Sequence, residues 1–182
     1  MHMNTWIAFF RGINVGGRSI LPMKDLVSIF IALGFEDVIT YIQSGNVIFR
    51  SPQEDARPMA ERITEAVKKK HGLNPRVVLL KLAELEAAVV ANPYPTAEVD
   101  PKSLHLYFLS EVPENPDFES MEKVKSASES YTMAGKIFYL HAPDGVGRSR
   151  LAARAETLLG VEATARNWRT VTQALKMAKE NR

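Results

Sequence analysis

The chain has 182 residues, 46% of them apolar and 24% charged, with a formal charge of +2. This composition excludes a disordered or coiled-coil chain, and the charge is too small to argue for nucleic acid by itself. The absence of cysteine excludes disulfides, thiolate nucleophiles and zinc–sulfur sites, and it fits a reducing, cytoplasmic compartment.

The opening MHMNTWIAFFRG has no long apolar segment followed by a small-residue cleavage site, so secretion is not expected, and His2 is given no functional weight. No apolar run approaches the roughly 20 residues needed to cross a bilayer, so no membrane partner is expected. Residues 5–10, TWIAFF, read as a buried strand, aromatic and β-branched with almost no alternation. A loop over 11–22 ends at Pro22. Leu26, Ile29, Phe30 and Leu33 then recur at the spacing of one helix face, and Gly34 is expected to cap that helix with a positive φ. DVITYI and VIFRS bracket Ser44-Gly45-Asn46 as a hairpin. A second helix runs from about Asp55 to His71, with Pro58 in its first turn. Its Lys68–His71 cluster lies where cations suit the helix dipole. RVVLLK returns as a strand over 76–81.

This β-α-β-β-α-β order is ferredoxin-like. A short helix with Leu82, Leu85 and Val89 on one side follows. NPYPTAEVDPKS then marks the boundary between an N-terminal subdomain over 1–92 and a C-terminal one over 93–182. The second part opens on LHLYFL at 104–109 and continues through a polar, partly helical stretch. A hairpin made of ESYTMAG and KIFYLH comes next, turning at Ala134-Gly135. Helices over 149–159, ending at Gly160, and 168–179 complete it. A helix occupies the place of a fourth strand. The expected class is therefore α+β, two ferredoxin-like subdomains with the second incomplete or modified.

Charge is unevenly distributed. Thr96 to Asp144 holds four lysines against nine Asp or Glu, whereas Gly145 to Arg182 holds eight Lys or Arg against three Glu. The basic C-terminal segment either steers anions or pairs with the acidic one.

RGINVGG at 11–17 meets neither nucleotide motif. A P-loop needs GxxxxGK[ST], and a dinucleotide fingerprint needs GxGxxG opening directly into a helix. What it offers is a glycine loop of Gly12, Asn14, Gly16 and Gly17 able to present backbone amides, with Arg11 for bidentate contact. In PDGVGRSRL at 143–151, Ser149 is placed to cap a helix with Arg148 and Arg150 in its opening turn. Cations there oppose the dipole and call for an acidic partner or a bound anion. In ATARNWRTV, Asn167 is placed to cap the last helix beside Arg166, Trp168 and Thr170. Gln43, Ser44 and Asn46 are polar at the first hairpin. Turn chemistry accounts for Ser44 and Asn46 more fully than for Gln43. Asp144 is placed as a turn former that could serve as a base. His71, His105 and His141 share no metal-ligand spacing, so no metal and no cofactor are expected.

The stretches RGINVGG, ALGF, TYIQSGNVIF, NPY, PDGVGRSRL and ARNWRTV together resemble the bacterial proteins of the DUF1697 family. Ala165 departs from the threonine common there. The resemblance implies paired ferredoxin-like subdomains and transfers no reaction and no catalytic residue. The expected function is a binding module for a phosphorylated or other anionic ligand, a small molecule or nucleic acid, in a cleft between the subdomains. The alternatives are a phosphoryl- or nucleotide-processing enzyme at the same residues, and a structural or protein-interaction module.

Overall fold

The computed structural model describes residues 3–181; Met1, His2 and Arg182 lie outside the described residues. The chain forms two compact units. One comprises the residues up to Ala87 together with those from Gln173 onward, and the other comprises Ala88–Thr172.

Unit 1 contains β1 (Asn4–Arg11), α1 (Met23–Ala32), β2 (Glu36–Tyr41), β3 (Asn46–Ser51), α2 (Ala56–His71) and β4 (Arg76–Lys81). Its four strands form an antiparallel sheet in the order β2-β3-β1-β4, the ferredoxin-like arrangement. Alternate β1 residues Trp6, Ala8 and Phe10 join Leu26, Phe30, Met59, Ile63 and Val67 of the two helices in one buried cluster. The intervening residues Ile7 and Phe9 are buried as well, which explains why β1 reads as a continuous apolar run.

Helix α1 ends in a double-bonded glycine cap. Gly34 has φ +83, its N–H donates to the Ile31 carbonyl, and the Phe35 N–H reaches back to Phe30. The Phe30 and Phe35 rings meet at 5.5 Å, the apolar contact that accompanies this motif. Asp55 caps α2 by accepting from the Arg57 N–H, and Pro58 sits in the first turn. Helix α3 (Leu82–Val90) begins in unit 1 and ends in unit 2.

Unit 2 contains β5 (Leu104–Leu109), α4 (Phe118–Val124), β6 (Ser130–Ala134), β7 (Ile137–His141), α5 (Arg150–Leu159) and β8 (Ala163–Asn167). The sheet order is β6-β7-β5-β8, the same arrangement again. The second subdomain is therefore complete, which corrects the expectation of a helix in place of its fourth strand. ATARN was obscure because alanine and arginine have little strand preference, and β8 forms only through its antiparallel pairing with β5, from Leu109 opposite Ala163 to His105 opposite Asn167. The turn of the β6–β7 hairpin is Gly135-Lys136, one residue later than expected, because Ala134 still pairs with Ile137. Gly160 caps α5 with φ +73 as expected. Helix α6 (Trp168–Glu180) starts in unit 2, and its later residues belong to unit 1. There Lys179 pairs with Glu86, and the Asn181 side chain donates to the Asp37 carbonyl at 2.8 Å.

His105 on β5 is mostly buried, its Nδ1 has no hydrogen-bond partner, and burial lowers its pKa to about 4. The unfolded chain binds a proton at this histidine near pH 6.5, and the folded chain does not until near pH 4. Stability attributable to His105 is thus fully present above pH 6.5 and falls as pH drops toward 4, by about 3 kcal/mol. Urea denaturation of wild type and His105→Gln at both ends of this window checks it. The wild type should lose more than the variant, and an NMR titration midpoint near 6.5 for His105 would contradict the expectation.

Candidate functional site

The four stretches singled out in the sequence divide two and two. RGINVGG and Gln43–Asn46 lie in unit 1, and 148–150 and 166–170 lie in unit 2.

In unit 1, the β1 C-terminus, the β2–β3 turn and the β4 N-terminus share one end of the sheet, since Phe9 pairs with Asn46 and Arg11 with Arg76. The first loop is itself a small hairpin. Asn14 N–H donates to Ser19, and Arg18 N–H donates to Val15 at 3.0 Å across Gly16 (φ +57) and Gly17 (φ +73). Two left-handed residues in succession make a type I′ turn, and glycine adopts it without steric cost. So Gly16 and Gly17 turn a corner, and both remain exposed.

Asn14 fastens this hairpin to its neighbours. Its Oδ1 accepts from the Leu21 N–H at 2.8 Å, while its Nδ2 donates to the Leu21 carbonyl at 2.9 Å and the Gln43 carbonyl at 2.8 Å. Asn46 is fully buried and spends both amide hydrogens on the Tyr41 carbonyl and the Ser44 hydroxyl. Asn14, Ser44 and Asn46 therefore shape the loops. Arg11, Gly12 and the Gln43 side chain face solvent. Arg76, which the sequence did not single out, stands directly opposite Arg11 in the β1–β4 register and is also exposed. Lys68, Lys69 and Lys70 are exposed at the end of α2, in line with their dipole role.

A hollow of about 400 Å³ lined by Asn4, Arg50, Lys81 and Glu86 lies at the opposite end of this sheet and contains none of the sequence-derived candidates.

In unit 2, the end of β7 at His141 and the end of β8 at Asn167 flank the start of β5, so both remaining stretches lie at one end of that sheet. A single strand separates β7 from β8, which puts their ends about 10 Å apart. Ser149 is nearly buried, and its Oγ accepts from the Ala152 N–H at 2.8 Å, making it the α5 cap. Arg148 and Arg150 on either side of this cap are exposed, and among the described residues neither side chain meets a carboxylate within ion-pair distance. Asp144, six residues before the helix starts, instead accepts a 2.5 Å hydrogen bond from Ser128.

Asn167 accepts from the Thr170 N–H at 2.9 Å and caps α6 as expected. Trp168 and Thr170 are buried. Burial also lowers the Arg166 pKa to about 10, and its Nη1 donates to the Ala165 carbonyl at 2.9 Å. Among the described residues no group of three or more His, Asp or Glu could hold a metal ion.

The DUF1697 family model, described as a protein of unknown function, matches residues 3–139. The chain belongs to this family. The matched span takes in both unit 1 motifs and ends before the Arg148 turn and the α6 cap, so those two stretches are outside it. No curated protein matches the chain. The DUF1697 fold seen here is similar to the structure of a conserved bacterial protein from Streptococcus pneumoniae. That protein is 22% identical, with a TM-score of 0.71, and the likeness covers 97% of this chain and 99% of that one. It shows that the paired antiparallel arrangement of this DUF1697 member is shared, and it speaks to the fold alone.

Proposed function

We propose that this DUF1697 protein binds a phosphorylated or otherwise anionic ligand, a small molecule or a nucleic acid, at the Arg148–Arg150 turn of unit 2. One observation carries the reading: two exposed arginines flank the capped N-terminus of α5, where the dipole is already positive, and no carboxylate among the described residues pairs with them. Pairing with the acidic middle segment is the competing use for these side chains, and no such ion pair to Arg148 or Arg150 forms among the described residues. Exposed Arg169 and the helix start capped by Asn167, at the same sheet end, add one cation and a second set of free N–H groups. The cysteine-free chain supports a reducing, cytoplasmic setting for this activity.

The test is a thermal-shift screen of nucleotides, sugar phosphates, short RNA and short DNA at low salt, on wild type and Arg148→Ala. Wild type should be stabilised by at least one class. Arg148→Ala should weaken that binding by about 1–3 kcal/mol, the value of a partly desolvated charge-assisted contact. Without ligand, the variant should be as stable as wild type or slightly more so, because a cation leaves the positive end of a dipole. A ligand shift that persists unchanged in Arg148→Ala removes Arg148 from the site, and no stabilisation of wild type by any class refutes the reading.

A further inference from the structure

We infer that the β6 edge of unit 2 is a self-association surface, on which a second copy of this chain pairs antiparallel to form a continuous eight-stranded sheet. Each sheet of the molecule has two edge strands, and three of the four carry a feature that discourages strand addition. β2 opens on Glu36-Asp37 with a register irregularity, Asp37 has φ +48, and Asn181 bonds its carbonyl. β4 begins at Arg76 and ends at Lys81. β8 carries Arg166. β6 alone reads SYTMA, with no charge, proline or glycine, and its terminal residues Ser130 and Ala134 are exposed.

The backbone groups that β6 offers follow from its hairpin. A two-residue loop, Gly135-Lys136, with Gly135 at φ +57, makes Ala134 and Ile137 a hydrogen-bonded pair. Alternation then turns Ser130, Thr132 and Ala134 toward β7 and leaves the N–H and C=O of Tyr131 and Met133 pointing outward. Among the described residues no backbone hydrogen bond satisfies that outer edge.

A two-fold axis through Thr132 satisfies it with no mismatch. Tyr131 of each copy then faces Met133 of the other in a hydrogen-bonded pair, Thr132 faces Thr132, and Ser130 faces Ala134. Aromatic–sulfur pairs are favourable across strands, while the Thr132 hydroxyl stays bonded to the Tyr94 hydroxyl at 2.8 Å in its own copy. The same register brings Lys136 of one copy beside Ser128 of the other, whose hydroxyl holds the Asp144 carboxylate. Opposite charges therefore meet at both ends of the pairing. Phe118, 42% exposed, stacks on Tyr131 with ring centroids 6.4 Å apart and extends the apolar face beside the strand.

Sedimentation equilibrium across the micromolar to sub-millimolar range tests this with two double variants at the same exposed positions. Wild type should approach twice the 20.3 kDa chain mass. S130K/A134K places lysine opposite lysine at both ends of the pairing and should weaken dimerisation by roughly tenfold or more. S130E/A134K places opposite charges there and should keep the dimer. Circular dichroism identical to wild type confirms that both variants fold. A wild type that stays monomeric throughout the range overturns the inference, as does a dimer that responds equally to both variants. A wild-type monomer that binds extended peptides at β6 would also overturn it and assign the edge to strand addition by another protein.

Discussion

Gly45→Ala should destabilise the fold by about 2–5 kcal/mol, far more than an ordinary glycine substitution. Two costs add at this position. Its φ of +71 lies in the left-handed region, where a side chain costs about 1–2 kcal/mol. A Cβ there would also stand 2.6 Å from both Phe10 Cβ and Ile13 Cδ1, and such overpacking costs about 1–3 kcal/mol more. Phe10 cannot retreat, because its N–H bonds the Gly45 carbonyl at 2.8 Å and its ring lies in the core. Gly34 is the control. With φ +83 and nothing within 4 Å of a Cβ, it carries the backbone cost alone, about 1 kcal/mol on change to alanine. Chemical denaturation of the two variants should rank them clearly, and equal losses would show that the close approach at Gly45 relaxes without cost.

The second large effect is expected at Phe30. This fully buried ring lies 5.1 Å from Phe49, 5.5 Å from Phe35 and 6.1 Å from Phe10, so one truncation strips contacts from α1, β1 and β3 together. Phe30→Ala should cost about 3–5 kcal/mol, the usual value for a buried aromatic that leaves a cavity. It should also undo the apolar half of the α1 cap, because Phe35 packs on the same ring. Phe118→Ala, at a ring 42% exposed, serves as the comparison and should lose much less. Denaturant midpoints for the two variants decide between a core and a surface role.

Much of this architecture was legible from hydrophobic pattern. RVVLLK and LHLYFL became β4 and β5 with their expected bounds, and Ser149 and Asn167 cap the helices they precede. Those features depend on neighbours within a few residues. β8 was missed because its stability lies in a ladder with a distant strand, and the fourfold pattern became visible only once that ladder closed.

The candidate site was legible as a set of residue types but not as a geometry. Gly16 and Gly17 read as a loop able to present backbone amides, and the Val15–Arg18 bond shows that they turn a corner. Asn14 read as an available polar group, yet its hydrogen bonds are internal, whereas Ser44 and Asn46 make the turn bonds expected of them. Arg76 gave no signal at all, because its position opposite Arg11 exists only in the strand register. The expectation for the arginines of the α5 turn rests on the dipole, a local property that the helix supplies as soon as it forms.

Anion binding at that turn is most directly tested by a backbone-amide NMR titration with inorganic pyrophosphate at low ionic strength. Saturable shifts are expected at Arg148 to Leu151 and at Arg166 to Thr170, and they should be lost at the first set in Arg148→Ala. Shifts confined to Lys68–Lys70, or no saturable shift anywhere in unit 2, would contradict the account.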